Sequence, residues 1–197
     1  IVKHLTPTGI ASADNITTAF PFALASDNVS AFGGVIAVNR PVDERFVDAL
    51  GALFIEAIAA PSFSESAQEK LKTKRKNCRI VQIPMPYDGA DLEIRAVHRG
   101  LLVQRADMSD PEGTILKTVT NRAPTDDEMS ALQFVWKAVQ HVKSNAIVWG
   151  KAGRTIGVGG GLPSRVDAVK LAVTKAGEEV KGAVMASDAF FTFADGL

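Results

Sequence analysis

The sequence predicts an α/β protein built on a mixed β-sheet. Short apolar runs typical of strands alternate with helical segments along the chain, and several strands are separated by only a short turn. The alternation predicts layers of helices against a sheet, and the short turns predict antiparallel neighbours. Two rough halves, each with an apolar strand, a glycine turn and a helix, divide near residues 106–125 and suggest a duplicated fold.

Length and charge restrict the possible functions. With 197 residues the chain can form one large domain or two small ones, each able to bury a core. The 22 basic and 22 acidic residues cancel, so we expect no nucleic-acid partner held by bulk charge. The single cysteine, Cys78, excludes an internal disulfide and a Cys-rich zinc site, and a reducing cytosol fits this composition.

The ends of the chain predict a piece of a longer polypeptide, because the sequence starts without Met on what resembles the inside of a strand. No apolar run reaches the length of a membrane span, and no signal peptide is present in the sequence given. We therefore expect no membrane partner.

The first half is expected to contain four strands and three helices. The predicted strands cover residues 1–4, 35–38, 54–60 and 79–83, and the first two helices cover about 16–26 and 43–52. Ser62 and Glu65 have the spacing of a capping box, which predicts the start of a charged helix that extends to about Arg75.

The middle and the second half continue the alternation. Strands are predicted at 92–97, 101–105 and 114–118. Thr125 and Glu128 form a second capping box, which starts the longest helix, to about Lys143. Apolar residues at helical spacing mark its buried face: Met129, Leu132, Val135, Val139 and Val142. A last strand is predicted at 184–186.

The stretch 144–173 reads as two strands joined at Gly153, a run of glycines, and a helix. Ser164 is placed as the N-cap of this helix, Gly177 would end it, and its expected inner face is Val166, Val169 and Val173. Free backbone N–H groups at the helix start, together with Arg165, would suit an anionic or carbonyl-bearing ligand. The alternative is that the glycines serve tight packing, since GVGGG matches neither the Rossmann fingerprint nor the P-loop.

Several polar residues could carry chemistry, and each also has a structural explanation. Lys3-His4 ends a strand and could pair a general base with a stabilising cation, or be a surface Lys beside a half-buried His. Asn145 could bond a ligand or cap a strand end. Glu56, inside an apolar strand, requires either a basic partner or an active-site role.

Aromatic and histidine residues complete the set of candidates. Phe32 and the cluster Phe190, Phe191 and Phe193 could wall a flat ring system or belong to the core. His98 and His141 have no acidic or Cys neighbours at ligand spacing, so no metal site is expected. The zinc-deaminase signature needs cysteines that this chain lacks.

Taken together, these motifs resemble the AICAR transformylase domain of the bifunctional purine biosynthesis family, which also carries IMP cyclohydrolase. The matching stretches run in the family's order: KHLTPTG at 3–9, SDNVSAFGGVIAVNRPVD at 26–43, GLLVQ at 100–104, KSNAIVWGKAGRTIGVGGGLPSRVDAVKLA at 143–172 and VMASDAFFTFADG at 184–196. The resemblance spans essentially the whole chain.

The resemblance implies transfer of a formyl group from 10-formyltetrahydrofolate, the co-substrate, to the 5-amino group of AICAR in purine (IMP) biosynthesis. It implies a cytoplasmic homodimer with a composite active site, no metal requirement, and room for a monovalent cation. The implied fold is a duplicated, cytidine-deaminase-like three-layer mixed sheet without zinc. Residues 1–110 would be the first half, and residues 111–197 a second half truncated at its C-terminal end.

The resemblance also implies residue roles. Lys3 and His4 match the catalytic pair, and Asn145 and Glu56 match nucleotide-binding positions. Folate-binding positions are matched by Phe32, Gly33, Arg165, Val166 and Asp188. Since the AICAR carboxamide withdraws electrons from the acceptor amine, a neutral His4 would take its proton while Lys3 stabilises the oxyanion or assists the leaving folate nitrogen.

The chain departs from the family pattern at Thr6, Leu162-Pro163, Thr192 and Ala194, where other residue types are usual. These departures keep open a second hypothesis, a non-catalytic nucleotide-binding or dimer-assembly module derived from the same fold. Because the cyclohydrolase domain and the segment that completes the folate site are not in this sequence, we expect the isolated piece to bind poorly or to be inactive.

Overall fold

The computed structural model describes residues 1–85, 92–107 and 110–196. The strands are β1 (Val2–Lys3), β2 (Thr6–Pro7), β3 (Gly34–Ala37), β4 (Ile55–Ala60), β5 (Arg79–Gln82), β6 (Leu92–Val97), β7 (Gly100–Arg105), β8 (Ile147–Lys151), β9 (Arg154–Gly159) and β10 (Val184–Ser187). The helices are α1 (Ile16–Ser26), α2 (Glu44–Ala49), α3 (Glu65–Lys74), α4 (Asp126–Val139) and α5 (Arg165–Ala176), and short 3₁₀ turns cover Gly177–Val180 and Ala194–Gly196.

The first half forms a five-stranded sheet with the order β2-β1-β3-β4-β5. β1 is antiparallel to both of its neighbours, while β3, β4 and β5 are parallel to one another. Helices α1, α2 and α3 pack against it through one apolar cluster that includes Phe20, Phe46 and Leu71 together with Ile36 and Ile58 of the sheet. The α/β class and the mixed sheet predicted from the sequence are therefore confirmed.

The second half forms an antiparallel sheet with the order β10-β8-β9. Its two faces belong to different clusters: Val148 and Val158 pack with Val135 and Val139 of α4. On the opposite face, Ile147 packs with Ala168 and Ala172 of α5. This sheet is thus covered by a helix on each side, in three layers.

The two halves are joined by direct contacts at one end of β9. The Ile10 N–H donates to Thr155 Oγ1 at 2.9 Å, and the Ser12 N–H donates to the Gly153 carbonyl at 2.7 Å. Asp27, which follows α1, forms an ion pair with Lys175 in the last turn of α5. Helix α1 therefore links both sheets.

Strands β6 and β7 form a hairpin of their own, paired from Leu92↔Arg105 to Val97↔Gly100. Every described residue of these two strands is exposed, including Ile94 and Leu101. The pairing confirms the two strands predicted on either side of Arg99.

Three local expectations are wrong. The N-cap of α3 is Ser64, whose side chain accepts from the Ala67 N–H, rather than Ser62. Residues 114–118 form no strand, although their residue types favour one. Helix α4 ends at Val139, short of Lys143, because the N–H groups of the next residues bond three positions back in a tighter turn. Its Thr125–Glu128 capping box is confirmed.

Two of the glycines that follow Gly153, Gly157 and Gly159, serve the packing of α5. A Cβ on Gly157 would lie 2.1 Å from the Ala172 carbonyl oxygen, and one on Gly159 would lie 2.0 Å from that of Ala168. The backbone of α5 lies directly on β9, so the fully buried face of the helix consists of Ala168, Ala172 and Ala176. Of the expected inner face, only Val169 packs against the cluster of Ile147, Ala168 and Ala172; Val166 and Val173 are half-buried and lie outside it.

Candidate functional site

The predicted catalytic pair lies at the tip of the β1–β2 hairpin. Lys3 pairs with Thr6, so the turn consists of His4 and Leu5, both at positive φ (52° and 66°). Two consecutive residues in this region form the turn that matches the twist of a tight hairpin. β1 ends at Lys3, and His4 therefore lies in the turn, exposed to solvent.

Lys3 is held beside an aromatic pair. Its Nζ donates to the Phe32 carbonyl at 2.6 Å, and the Phe32 ring lies 5.3 Å from the Phe54 ring. Gly33, at φ 72°, donates its N–H to the Phe54 carbonyl at 2.8 Å. These residues, the Lys3 group (Lys3, His4, Phe32, Gly33 and Phe54), put an ammonium next to an open aromatic surface, since Phe32 is 60 % exposed.

Glu56 lies on β4, directly after Ile55, which is the register partner of Gly34. Its carboxylate is exposed and forms an ion pair with Arg79, the first residue of the neighbouring strand β5, at 2.7 Å. Of the two explanations that the sequence left open for Glu56, a basic partner is present, namely Arg79. An exposed pair of this kind contributes little to stability and leaves the carboxylate accessible.

A second set of predicted residues meets where three elements begin or end. Asn145 precedes β8, Arg165 is the first residue of α5, and Asp188 follows β10. Because β10 and β8 are antiparallel with Ser187 opposite Ile147, the end of one strand lies beside the start of the other. We call these residues, with Ser144 and Ser187, the Asn145 group.

Hydrogen bonds join Asn145 and Arg165 directly. Arg165 Nη2 donates to Asn145 Oδ1 at 2.7 Å. Asn145 Nδ2 donates to the carbonyls of Leu162 and Pro163, at 3.1 and 2.9 Å. The loop before α5 and the start of β8 are thereby fixed to each other.

Asp188 accepts hydrogen bonds at both carboxylate oxygens. Oδ1 accepts from the Ala146 N–H at 3.0 Å and from Arg165 Nη1, and Oδ2 accepts from Ser144 Oγ. Burial alone would raise the pKa of Asp188, but the bonds from Arg165, Ser144 and Ala146 outweigh it and hold the pKa below its usual value. The group is therefore a paired carboxylate at neutral pH.

The phenylalanines that follow Asp188 fall into two classes. The Phe191 ring lies 5.9 Å from the Arg165 guanidinium carbon and packs in the cluster under α5. Phe190 and Phe193 are 80 % and 72 % exposed. Phe191 thus belongs to the core, which was one of the two interpretations of these phenylalanines. The exposed rings of Phe190 and Phe193 are available to contact a ligand.

The Lys3 group and the Asn145 group are built at the ends of strands that belong to two different sheets. Phe32 lies in the turn that follows Asp27, and Asp27 contacts Lys175 near the C-terminal end of α5. Arg165 lies ten residues away, at the other end of α5, which at 1.5 Å per residue is about 15 Å. Among the described residues, no hydrogen bond or ion pair joins the two groups.

Two contacts of the site were not predicted from the sequence. Phe54 stacks with Phe32, and Arg79 pairs with Glu56. Both contacts depend on the register of parallel strands that are distant in sequence. The sequence offered one indication of them, which is that Phe54 and Arg79 stand at the starts of predicted strands.

The described part of the chain offers no metal site: no three His, Cys, Asp or Glu side chains come together there. Among its described helices, none combines the length and apolarity needed to cross a membrane.

Comparison with known proteins gives a consistent result. The family profile described as AICARFT/IMPCHase bienzyme matches residues 1–175. A protein of Thermoanaerobacter sp. (strain X514) is 47 % identical over 194 residues, covering 98 % of this chain and 38 % of the relative. One of Chloroflexus aurantiacus is 47 % identical over 201 residues, and one of Streptococcus pyogenes is 42 % identical over 200 residues; each covers 100 % of this chain and 39 % of the relative.

All three relatives are named bifunctional purine biosynthesis protein PurH. This chain spans about two fifths of their length. The two alignments that cover the whole chain include the Lys3 group and the Asn145 group alike.

Proposed function

We propose, because the chain belongs to the AICARFT/IMPCHase bienzyme family, that its parent protein transfers a formyl group from 10-formyltetrahydrofolate to the 5-amino group of AICAR. The observation that carries this proposal is the family match over residues 1–175, which contains Lys3, His4, Asn145 and Arg165. The alternative of a non-catalytic module is not favoured, since relatives at 42–47 % identity are named as bifunctional biosynthetic proteins.

In the proposed reaction, Lys3 and His4 act on the reacting atoms. The amine nitrogen of AICAR attacks the formyl carbon, its proton passes to the neutral His4 imidazole, and the bond from carbon to the folate nitrogen breaks. Lys3 stabilises the oxyanion or helps to protonate the leaving nitrogen. The exposure of His4 in its turn and the anchoring of Lys3 on the Phe32 carbonyl support these roles.

Binding of the two substrates is assigned to both groups. We assign Asn145 and Glu56 to the nucleotide, and Phe32, Gly33, Arg165 and Val166 to folate. The exposed Phe32 ring beside Phe54 offers a flat apolar surface suited to a pterin. Holding both substrates in register would supply much of the rate.

A homodimer with a composite site is part of the proposal. It is supported by the placement of the two groups on different sheets. If the two groups of one chain do not reach the same substrates, a partner chain has to bring the missing group to each site. We further propose that the parent chain carries IMP cyclohydrolase, acts in the cytoplasm and needs no metal, with a monovalent cation as the one ion it could accommodate.

The fold is proposed to be a duplicated, cytidine-deaminase-like architecture with halves at 1–110 and 111–197. Strand order supports this. In each half a hairpin leads through a helix to a strand antiparallel to the first hairpin strand, which gives the orders β2-β1-β3 and β9-β8-β10. The second half would then need further strands beyond β10 to equal the first.

Substitution in the parent protein tests the catalytic roles. Lys3→Ala and His4→Ala should each lower kcat for formyl transfer by about 10²-fold or more, because general acid–base groups typically contribute that much. Lys181→Ala serves as the control, since the Lys181 side chain is exposed and its Nζ pairs with the exposed Glu178. Near-normal turnover in both site variants would contradict the assignment.

A further inference from the structure

The Asp188 carboxylate is engaged entirely by its own chain. Its Oδ1 accepts from the Ala146 N–H at 3.0 Å and from Arg165, and its Oδ2 accepts from Ser144 Oγ. Only 19 % of its side chain is exposed. A carboxylate with three internal donors and this little exposure has little capacity left for a substrate.

Arg165 is fixed by the same arrangement. Its Nη1 donates to Asp188 and to Ser187 Oγ, the latter at 2.7 Å, and its guanidinium faces the Phe191 ring. Its side chain is 15 % exposed. A guanidinium has rigid fork geometry, so bonds at Nη1 also set the direction of the remaining N–H groups.

The orientation of Arg165 determines the orientation of Asn145. Asn145 Oδ1 accepts from Arg165 Nη2 at 2.7 Å, which leaves Nδ2 to donate to the Leu162 and Pro163 carbonyls. Without that bond the Asn145 amide could rotate by half a turn, so that Oδ1 and Nδ2 exchange places. The residue assigned to the nucleotide and the residue assigned to folate are therefore joined by one hydrogen bond.

We propose that Asp188 is a positioning residue, which holds Arg165 and through it the Asn145 side chain in place for both substrates. The proposal rests on the function proposed above. It replaces the direct folate contact that the family resemblance implies for Asp188. Loss of the Asp188 charge would leave a mostly buried guanidinium without its counter-ion, and such a group moves toward water.

Steady-state kinetics of the full-length parent protein test the proposal. Asp188→Asn should raise KM for the nucleotide and KM for folate together, each by about tenfold or more, because a charged hydrogen bond of this kind is lost. Ser144→Ala removes one donor to Asp188 and should raise both values by a smaller factor. Glu178→Gln, a control at an 89 % exposed side chain, should change neither.

The pattern of the two KM values separates the possible roles. A rise in the folate KM alone would overturn the proposal, since it would indicate a direct folate ligand. A fall in kcat with both KM values unchanged would also overturn it, because that is expected of a purely structural residue. If Asp188→Asn fails to fold, the two KM values and the kcat of Ser144→Ala are judged by the same criteria.

A second measurement does not depend on activity. If the wild-type parent protein transfers no formyl group, the proposed function fails, and crystal structures without substrate then decide the positioning role. In Asp188→Asn, Arg165 Nη2 should lie beyond hydrogen-bond distance of Asn145 Oδ1, whereas Glu178→Gln should keep the 2.7 Å contact. An unchanged contact in Asp188→Asn would overturn the proposal.

Discussion

At the scale of single residues, charged side chains affect stability most where they are largely buried. Asp27 and Lys175 join the two halves, and their side chains are 7 % and 28 % exposed. Burial raises the pKa of Asp27, but the bonds from Lys175 and Ser30 outweigh it and hold the pKa below its usual value. A folded-state pKa below the unfolded one stabilises the protein above the unfolded pKa, and this contribution is lost as pH falls through the folded pKa.

Lys175→Met tests this pair. At pH 7 the variant should be less stable to urea by about 2 kcal/mol, because a largely buried carboxylate loses its partner. The difference from wild type should shrink as the pH falls below the usual pKa of an aspartate and through the lower folded-state pKa of Asp27. Lys181→Met, which breaks an exposed pair, should change stability by less than about 0.5 kcal/mol. A constant difference at all pH values would contradict the role of Asp27.

Residue identities gave candidates for the site but not their contacts. Asn145 and Arg165 were candidates from the sequence pattern, and the family resemblance gave them roles and added Asp188, yet the hydrogen bonds among the three depend on the antiparallel register of β8 and β10. The Glu56–Arg79 pair depends likewise on the register of two parallel strands. Register is set by tertiary packing of the sheet, which one sequence does not display.

At the scale of elements, predictions succeeded where the signal is local. The capping box of Thr125 and Glu128 spans four residues and requires no distant contact, so it could be read directly. Residues 114–118 have the composition of a strand but form none, because a strand also needs a partner. The sequence left two interpretations open for the glycines of β9, ligand binding and tight packing. Only the structure shows that the backbone of α5 packs against them.

The start of α3 provides a test at the element scale. Ser64→Ala should destabilise the protein by about 1 kcal/mol in chemical denaturation, because the Ala67 N–H loses its side-chain acceptor. Ser62→Ala, two residues earlier, is a matched control and should lie within about 0.5 kcal/mol of wild type. If Ser62→Ala were the more destabilising of the two variants, Ser62 and not Ser64 would be the N-cap of α3.

At the scale of the whole molecule, the two site groups are built on different sheets. Each carries part of the proposed chemistry: an ammonium and an imidazole beside aromatic rings in one, and a locked Asn–Arg–Asp arrangement in the other. Neither group has the full set of roles that formyl transfer requires. The central claim is therefore that two copies of the parent chain complete each site.

Complementation between inactive variants tests this claim most directly. Parent protein with His4→Ala and parent protein with Asn145→Ala are co-expressed, and the mixed dimers are assayed for formyl transfer against each variant alone. If each site takes His4 from one chain and Asn145 from the other, a mixed dimer has one intact site. A random mixture should then recover about a quarter of wild-type activity, since half of its dimers are mixed. Activity no higher than that of the separate variants would contradict the composite site.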